Sequence, residues 1–116
     1  MIHIKNFIGN TFTDSESLKT IDSINPATTK VIGTLPDSIK EDVARAVASA
    51  KSAFPGWSVK TAEERASYLY KIADLIDSHA EELAYLESID QGKPLWLSKS
   101  VDIPRAAANF RFYAGA

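Results

Sequence analysis

The longest run of helical periodicity in the chain stops at Asp90-Gln91-Gly92-Lys93-Pro94, and that stop limits where everything else can go. Glycine adopts the left-handed conformation that ends a helix at no steric cost, and a proline two positions later is poorly placed to continue one. Asp90 is the discordant member, a carboxylate in the last helical turn facing the negative end of the helix dipole. It calls for a partner. Upstream, Thr61-Ala62-Glu63-Glu64 has the spacing of a capping box and opens the same run. An unbroken helix from Ala62 to Gln91 would be about 45 Å long at about 1.5 Å per residue. A compact chain of this length is only roughly 35 Å across. Either the helix breaks, or it belongs to a unit larger than these 116 residues.

Composition narrows the class. Hydrophobic residues make up 45% and charged residues 24%, the balance of a globular chain, and no apolar run approaches bilayer length. Met1-Ile2-His3-Ile4-Lys5-Asn6 has neither the basic stretch nor the apolar core of a signal peptide, so the expectation is a cytoplasmic protein. A net charge of -2 with interspersed signs argues against nucleic acid as a partner, and the lack of a bilayer-length apolar run against the membrane. Cysteine is absent, which removes disulfides, thiolate zinc sites and any cysteine nucleophile from this polypeptide.

Ahead of the long run the pattern is that of strands. Lys5 to Ile8 and Thr11 to Thr13 flank Gly9-Asn10, a pair suited to the mirror-image turns that hairpins prefer. Thr20 to Ile24 alternates polar and apolar, Asn25-Pro26 turns the chain, and Lys30 to Leu35 resumes as a strand, which predicts a second hairpin. Ser38-Ile39-Lys40-Glu41 reads as a capping box opening a helix to about Phe54, with a stripe of Val43, Val47, Ala50 and Phe54. Pro55-Gly56 is expected to end it and Trp57 to anchor the following loop. The stripe of the long run is Leu69, Ile72, Ile76, Leu83 and Leu86, with Ala73 and Ala80 as small contacts. Beyond Gly92, Pro94 opens a short helical segment, and Asp102-Ile103-Pro104 marks a new start with Asp102 as N-cap. The chain therefore reads as β-hairpins over residues 1–35 followed by three to four α-helices over 37–116.

Residue chemistry alone gives no active site. His3 and His79 lack ligand partners at helical spacing and read as surface residues. The pairs Glu41-Asp42, Glu63-Glu64 and Glu81-Glu82 read as solvated helix charges. Gly92-Lys93 lacks the upstream glycine and the following Ser or Thr of a phosphate loop. Phe110, Phe112 and Tyr113 fit core packing better than base stacking, since only Arg105 and Arg111 accompany them.

The order of these features carries more than any one of them. A hairpin, Asn25-Pro26-Ala27-Thr28, a strand at Val31-Ile32, a helix ending near Phe54 and Trp57, a helix from Glu64-Arg65 through Ala73-Asp74-Leu75-Ile76, and then Asp90 to Pro94 together resemble the N-terminal quarter of the NAD(P)-dependent aldehyde dehydrogenases. Asp102-Ile103-Pro104-Arg105 followed by Asn109-Phe110 looks most like the branch acting on 2-aminomuconic and 2-hydroxymuconic semialdehydes. The resemblance implies an α/β fold with a Rossmann-type cofactor domain, of which this chain is a partial N-terminal portion. It implies NAD or NADP as cofactor, a cysteine nucleophile, a glutamate base, the remainder of the subunit as partner, and a homo-oligomer. The catalytic and cofactor-binding residues of the family match no position here, so none is expected, and the isolated chain is expected to be inactive.

The resemblance also implies a monovalent-cation site, with Ser23 and Ile24 offering backbone carbonyls and Asp90 its carboxylate. Weak or no cation binding is expected of the chain alone. A non-catalytic helical interaction module derived from such an enzyme is the competing expectation.

Overall fold

Phe7 faces Phe12 across a two-residue turn, and this pairing begins the fold described by the computed structural model over residues 1–116. After a short β1 (Ile2–His3), β2 (Asn6–Ile8) and β3 (Thr11–Thr13) form an antiparallel hairpin in which Asn6 also pairs with Thr13 and Ile8 with Thr11. Gly9 and Asn10 both take positive φ, 59° and 61°, the condition for a turn that follows the strand twist. The two rings lie 4.9 Å apart, centroid to centroid.

The second expected hairpin is also present, as β4 (Thr20–Asn25) and β5 (Lys30–Pro36). Its strands are hydrogen-bonded neighbours in a sheet of order β1-β5-β4, and so short a connection permits only antiparallel pairing. In the turn, Asn25 Oδ1 accepts from Ala27 N at 2.9 Å and Asn25 O from Thr28 N at 3.3 Å. β1 was not expected from the sequence; it joins β5 in parallel, Ile2 opposite Gly33 and His3 opposite Thr34.

α1 (Lys40–Ser58) departs from expectation at both ends. Its N-cap is Ile39 and not Ser38, and Asp42 Oδ2 takes the Ile39 N–H at 2.9 Å. Only half a capping box forms, because isoleucine offers no acceptor in return; Ser38 instead donates to Asn6 Oδ1. Pro55 does not stop the helix. Its φ suits a helix, and so near the end the missing N–H costs a single bond, while Ser58 Oγ caps the Pro55 carbonyl at 3.1 Å. Trp57 thus lies on the helix, 40% exposed, and not in a following loop. The Val43, Val47 and Phe54 stripe exists but remains exposed.

The long run breaks at His79. α2 (Ala62–Ser78) ends and α3 (Ala80–Gln91) begins there, with His79 at φ -110° and ψ 19°. Its N–H and Nδ1 both reach Leu75 O, at 3.1 and 2.9 Å, while its carbonyl accepts Leu83 N at 3.0 Å. The α2 capping box is as expected: Thr61 N donates to Glu64 Oε2 at 2.8 Å and Glu64 N to Thr61 Oγ1 at 3.1 Å. The Thr61 bonds hold the Glu64 carboxyl below its ordinary range.

After Gly92, α4 (Leu95–Leu97) passes through a π-helical turn (Ser98–Asp102) straight into α5 (Ile103–Gly115). Asp102 is therefore not an N-cap; it has helical angles and makes no cap bond. The run from Leu95 through the π-helical turn to Gly115 is continuous, so four helices follow the strands, within the expected three to four.

The chain divides into two compact units, one of Met1–Ile24 with Thr29–Val59, the other of Asn25–Thr28 with Lys60–Ala116. In the second, α2 packs most extensively on α5, and Ala73, Ala84 and Ala107 are its buried apolar residues. No helix is long and apolar enough to cross a membrane.

Candidate functional site

Gly92 caps α3 in the left-handed conformation, with φ 69°, and lies against the Asn25–Thr28 turn. A Cβ at Gly92 would lie 2.7 Å from Pro26 Cγ and 2.9 Å from Ala27 N, so glycine is required there on two counts. Lys93 follows, and its Nζ sits 2.7 Å from both Asp102 Oδ2 and Glu87 Oε1. Those two carboxylates, Asp102 foremost, raise the Lys93 pKa. The Lys93 carbonyl accepts from Ser88 Oγ at 2.7 Å. This lysine is engaged within the second unit and takes no part in a phosphate cradle.

The residues named for a cation site are Ser23, Ile24 and Asp90. Ser23 is half-buried and Ile24 exposed at the end of β4 in the first unit. Asp90 is exposed in the last turn of α3 in the second, where Gln91 Nε2 donates to its Oδ2 at 3.3 Å. No group of three or more His, Asp or Glu side chains gathers as metal ligands.

The most concentrated polar cluster is one that sequence reasoning missed. Asp42, read as a solvated charge, is 2% exposed. Its carboxylate accepts from Ser15 Oγ at 2.5 Å, Ile39 N at 2.9 Å, Glu16 N at 3.1 Å and Arg45 at 2.8 Å. Arg45 Nε also meets Glu16 Oε1 at 3.2 Å. Ser15, first among these donors, and then the Ile39 N–H hold the Asp42 carboxyl far below the ordinary range against the opposing effect of burial. A carboxylate so fully donated to cannot take the Ser15 proton, so the pair is not a nucleophile with its base. It is a clasp fixing the Ser15 to Ser17 loop on the α1 N-terminus. The available signal was an apolar N-cap, Ile39, with an acidic residue at the third helical position.

Comparison with known proteins agrees with the order of features. Residues 12–116 match the aldehyde dehydrogenase family. The chain is 44% identical over 100% of its length to 2-aminomuconic semialdehyde dehydrogenase of Bos taurus, and spans 23% of that protein. The enzyme of the same name from Danio rerio is 46% identical over 97% of this chain, again with 23% of the relative covered. Among solved structures, the NAD+ complex of an aldehyde dehydrogenase from Bacillus cereus superposes with a TM-score of 0.94 at 42% identity, over 98% of this chain and 24% of that one. PnpE in complex with nicotinamide adenine dinucleotide gives 0.93 at 41% identity, over 96% and 23%. With the second hairpin, the Asn25–Thr28 turn and the Gly92 cap lying in the matched span, this chain belongs to the aldehyde dehydrogenase family.

Proposed function

We propose that this chain serves as the amino-terminal part of an NAD(P)-dependent subunit that oxidises an aldehyde to a carboxylic acid. The observation carrying this is the superposition on the NAD+-bound Bacillus cereus enzyme, at a TM-score of 0.94 and 42% identity. The exposed stripe of Val43, Val47 and Phe54 supports it, being apolar surface that the remainder of a subunit would cover. The chain's own part is architectural, because it has no cysteine to attack the aldehyde. The names of the bovine and zebrafish relatives favour a semialdehyde of the 2-aminomuconic type as substrate. A homo-oligomer and a cytoplasmic setting belong to the same proposal.

The test is a chimera in which this chain replaces the matching quarter of the Bacillus cereus enzyme, assayed by NADH formation. Aldehyde oxidation by the chimera and none by the chain alone is expected. A folded chimera without turnover, alongside an active one carrying the matching quarter of PnpE, would overturn the proposal. For Ser23, Ile24 and Asp90 we infer weak or no monovalent-cation binding by the isolated chain. Its melting temperature should be the same in sodium, potassium and choline chloride, and a cation-specific rise would reverse that inference.

A further inference from the structure

β1 is the shortest strand of the first unit and is held almost entirely by backbone. It comprises Ile2–His3 alone, in parallel register with Gly33 and Thr34. Ile4 N donates to Thr34 O at 2.8 Å, and His3 Nδ1 lies 3.0 Å from Thr34 Oγ1. Met1, Ile2 and Ile4 are all exposed, so little apolar burial retains the segment. Beneath it the first unit is specifically shaped. Gly33 is buried, and a Cβ there would overlap the Ile2 carbonyl oxygen and come within 3.0 Å of Ile2 Cβ. The β5 edge is thus a seat for a bare backbone, and a side chain in that seat would keep the strand out.

We propose that β1 is a detachable strap, and that the β5 edge beneath it accepts the Ile2–His3 segment of a second copy of this chain. When the strap lifts, β5 presents unpaired N–H and C=O groups, which another strand satisfies. The occupant with the right length, register and partner for the Thr34 hydroxyl is the same segment of another copy. Only Ile4 and Lys5 separate β1 from β2, and a connection that short favours exchange between copies over refolding of the strap elsewhere on its own unit.

The natural absence of cysteine makes the test clean. Residues opposed on neighbouring strands are within disulfide reach, so a chain carrying both His3→Cys and Thr34→Cys should close an internal disulfide on mild oxidation. Mixing the two single variants should instead give a disulfide-linked heterodimer on a non-reducing gel, suppressed when Gly33→Val is added to the Thr34→Cys chain. By hydrogen exchange, the Ile4 amide should exchange at least about tenfold faster than the β2–β3 hairpin amides. An internal disulfide in the double variant without any heterodimer from the mixture overturns strand exchange. Failure of the internal disulfide, or equal protection of Ile4 and the hairpin, overturns the strap itself.

Discussion

The two units are stabilised by opposite kinds of buried group. In the first, the buried side chains are those of Ser15 and Asp42, a hydroxyl and a carboxylate each at 2%, and no large apolar side chain is buried. In the second they include the methyl groups of Ala73, Ala84 and Ala107, at 0 to 1%. The difference teaches where each unit is brittle. A charge satisfied by four donors fails when any of them is lost, because the remaining groups are left unpaired away from water. Helices packed through alanine fail when anything larger is inserted, because there is no room to yield.

The largest effect should follow from Asp42→Asn, which keeps the shape and removes the charge. The first unit should lose more stability than in any variant below, read as a fall in melting temperature with faster amide exchange at Glu16. The pH dependence has a definite sign. The folded Asp42 carboxyl is depressed, while the unfolded one takes a proton near pH 4. The stabilisation is therefore present above that pH and lost as pH falls toward the folded value, and Asp42→Asn should flatten that part of the profile.

Next comes Ala73→Leu, which forces a larger side chain into a buried position on α2, the helix that packs on α5. It should cost about 1–3 kcal/mol by chemical denaturation and leave amide exchange at Glu16 unchanged, since overpacking acts locally. A loss of protection at both places would show that the two units do not fail independently.

A smaller effect of opposite sign is expected from Ser98→Ala. Ser98 is fully buried in the π-helical turn, and its hydroxyl has no protein partner. Removing an unpaired buried hydroxyl should stabilise the second unit by about 1 kcal/mol. A loss instead would show that ordered water satisfies that hydroxyl. The smallest change should come from Arg111→Gln. Arg111 reaches Asp77 at 2.6 Å and Asp74 at 2.9 Å, but the pairs lie at the surface. Its effect on melting should be slight and should vanish in about 1 M salt.

The parts legible in the sequence were those written locally. Gly9-Asn10, Thr61 with Glu64, and Gly92 each announce a backbone conformation through their own chemistry, and each is found in place. What escaped depends on residues distant in the chain. β1 exists because Gly33 leaves room for it, a fact invisible at Ile2 and His3. Asp42 is buried because the loop at Ser15 closes over it, although its neighbour Glu41 is exposed. The break at His79 was foreseen only as a matter of length, since nothing in Ser78-His79-Ala80 breaks a helix by propensity.

The contact of Gly92 with Pro26 has an evolutionary consequence. A substitution at Gly92 must both hold a positive φ and displace the Pro26 ring, so it can be tolerated only if the Asn25–Thr28 turn changes with it. Two short motifs far apart in the chain are therefore a single target for selection. Variation across relatives should show them drifting together, with a bulkier residue at the cap accompanied by a remodelled turn, and neither changing alone.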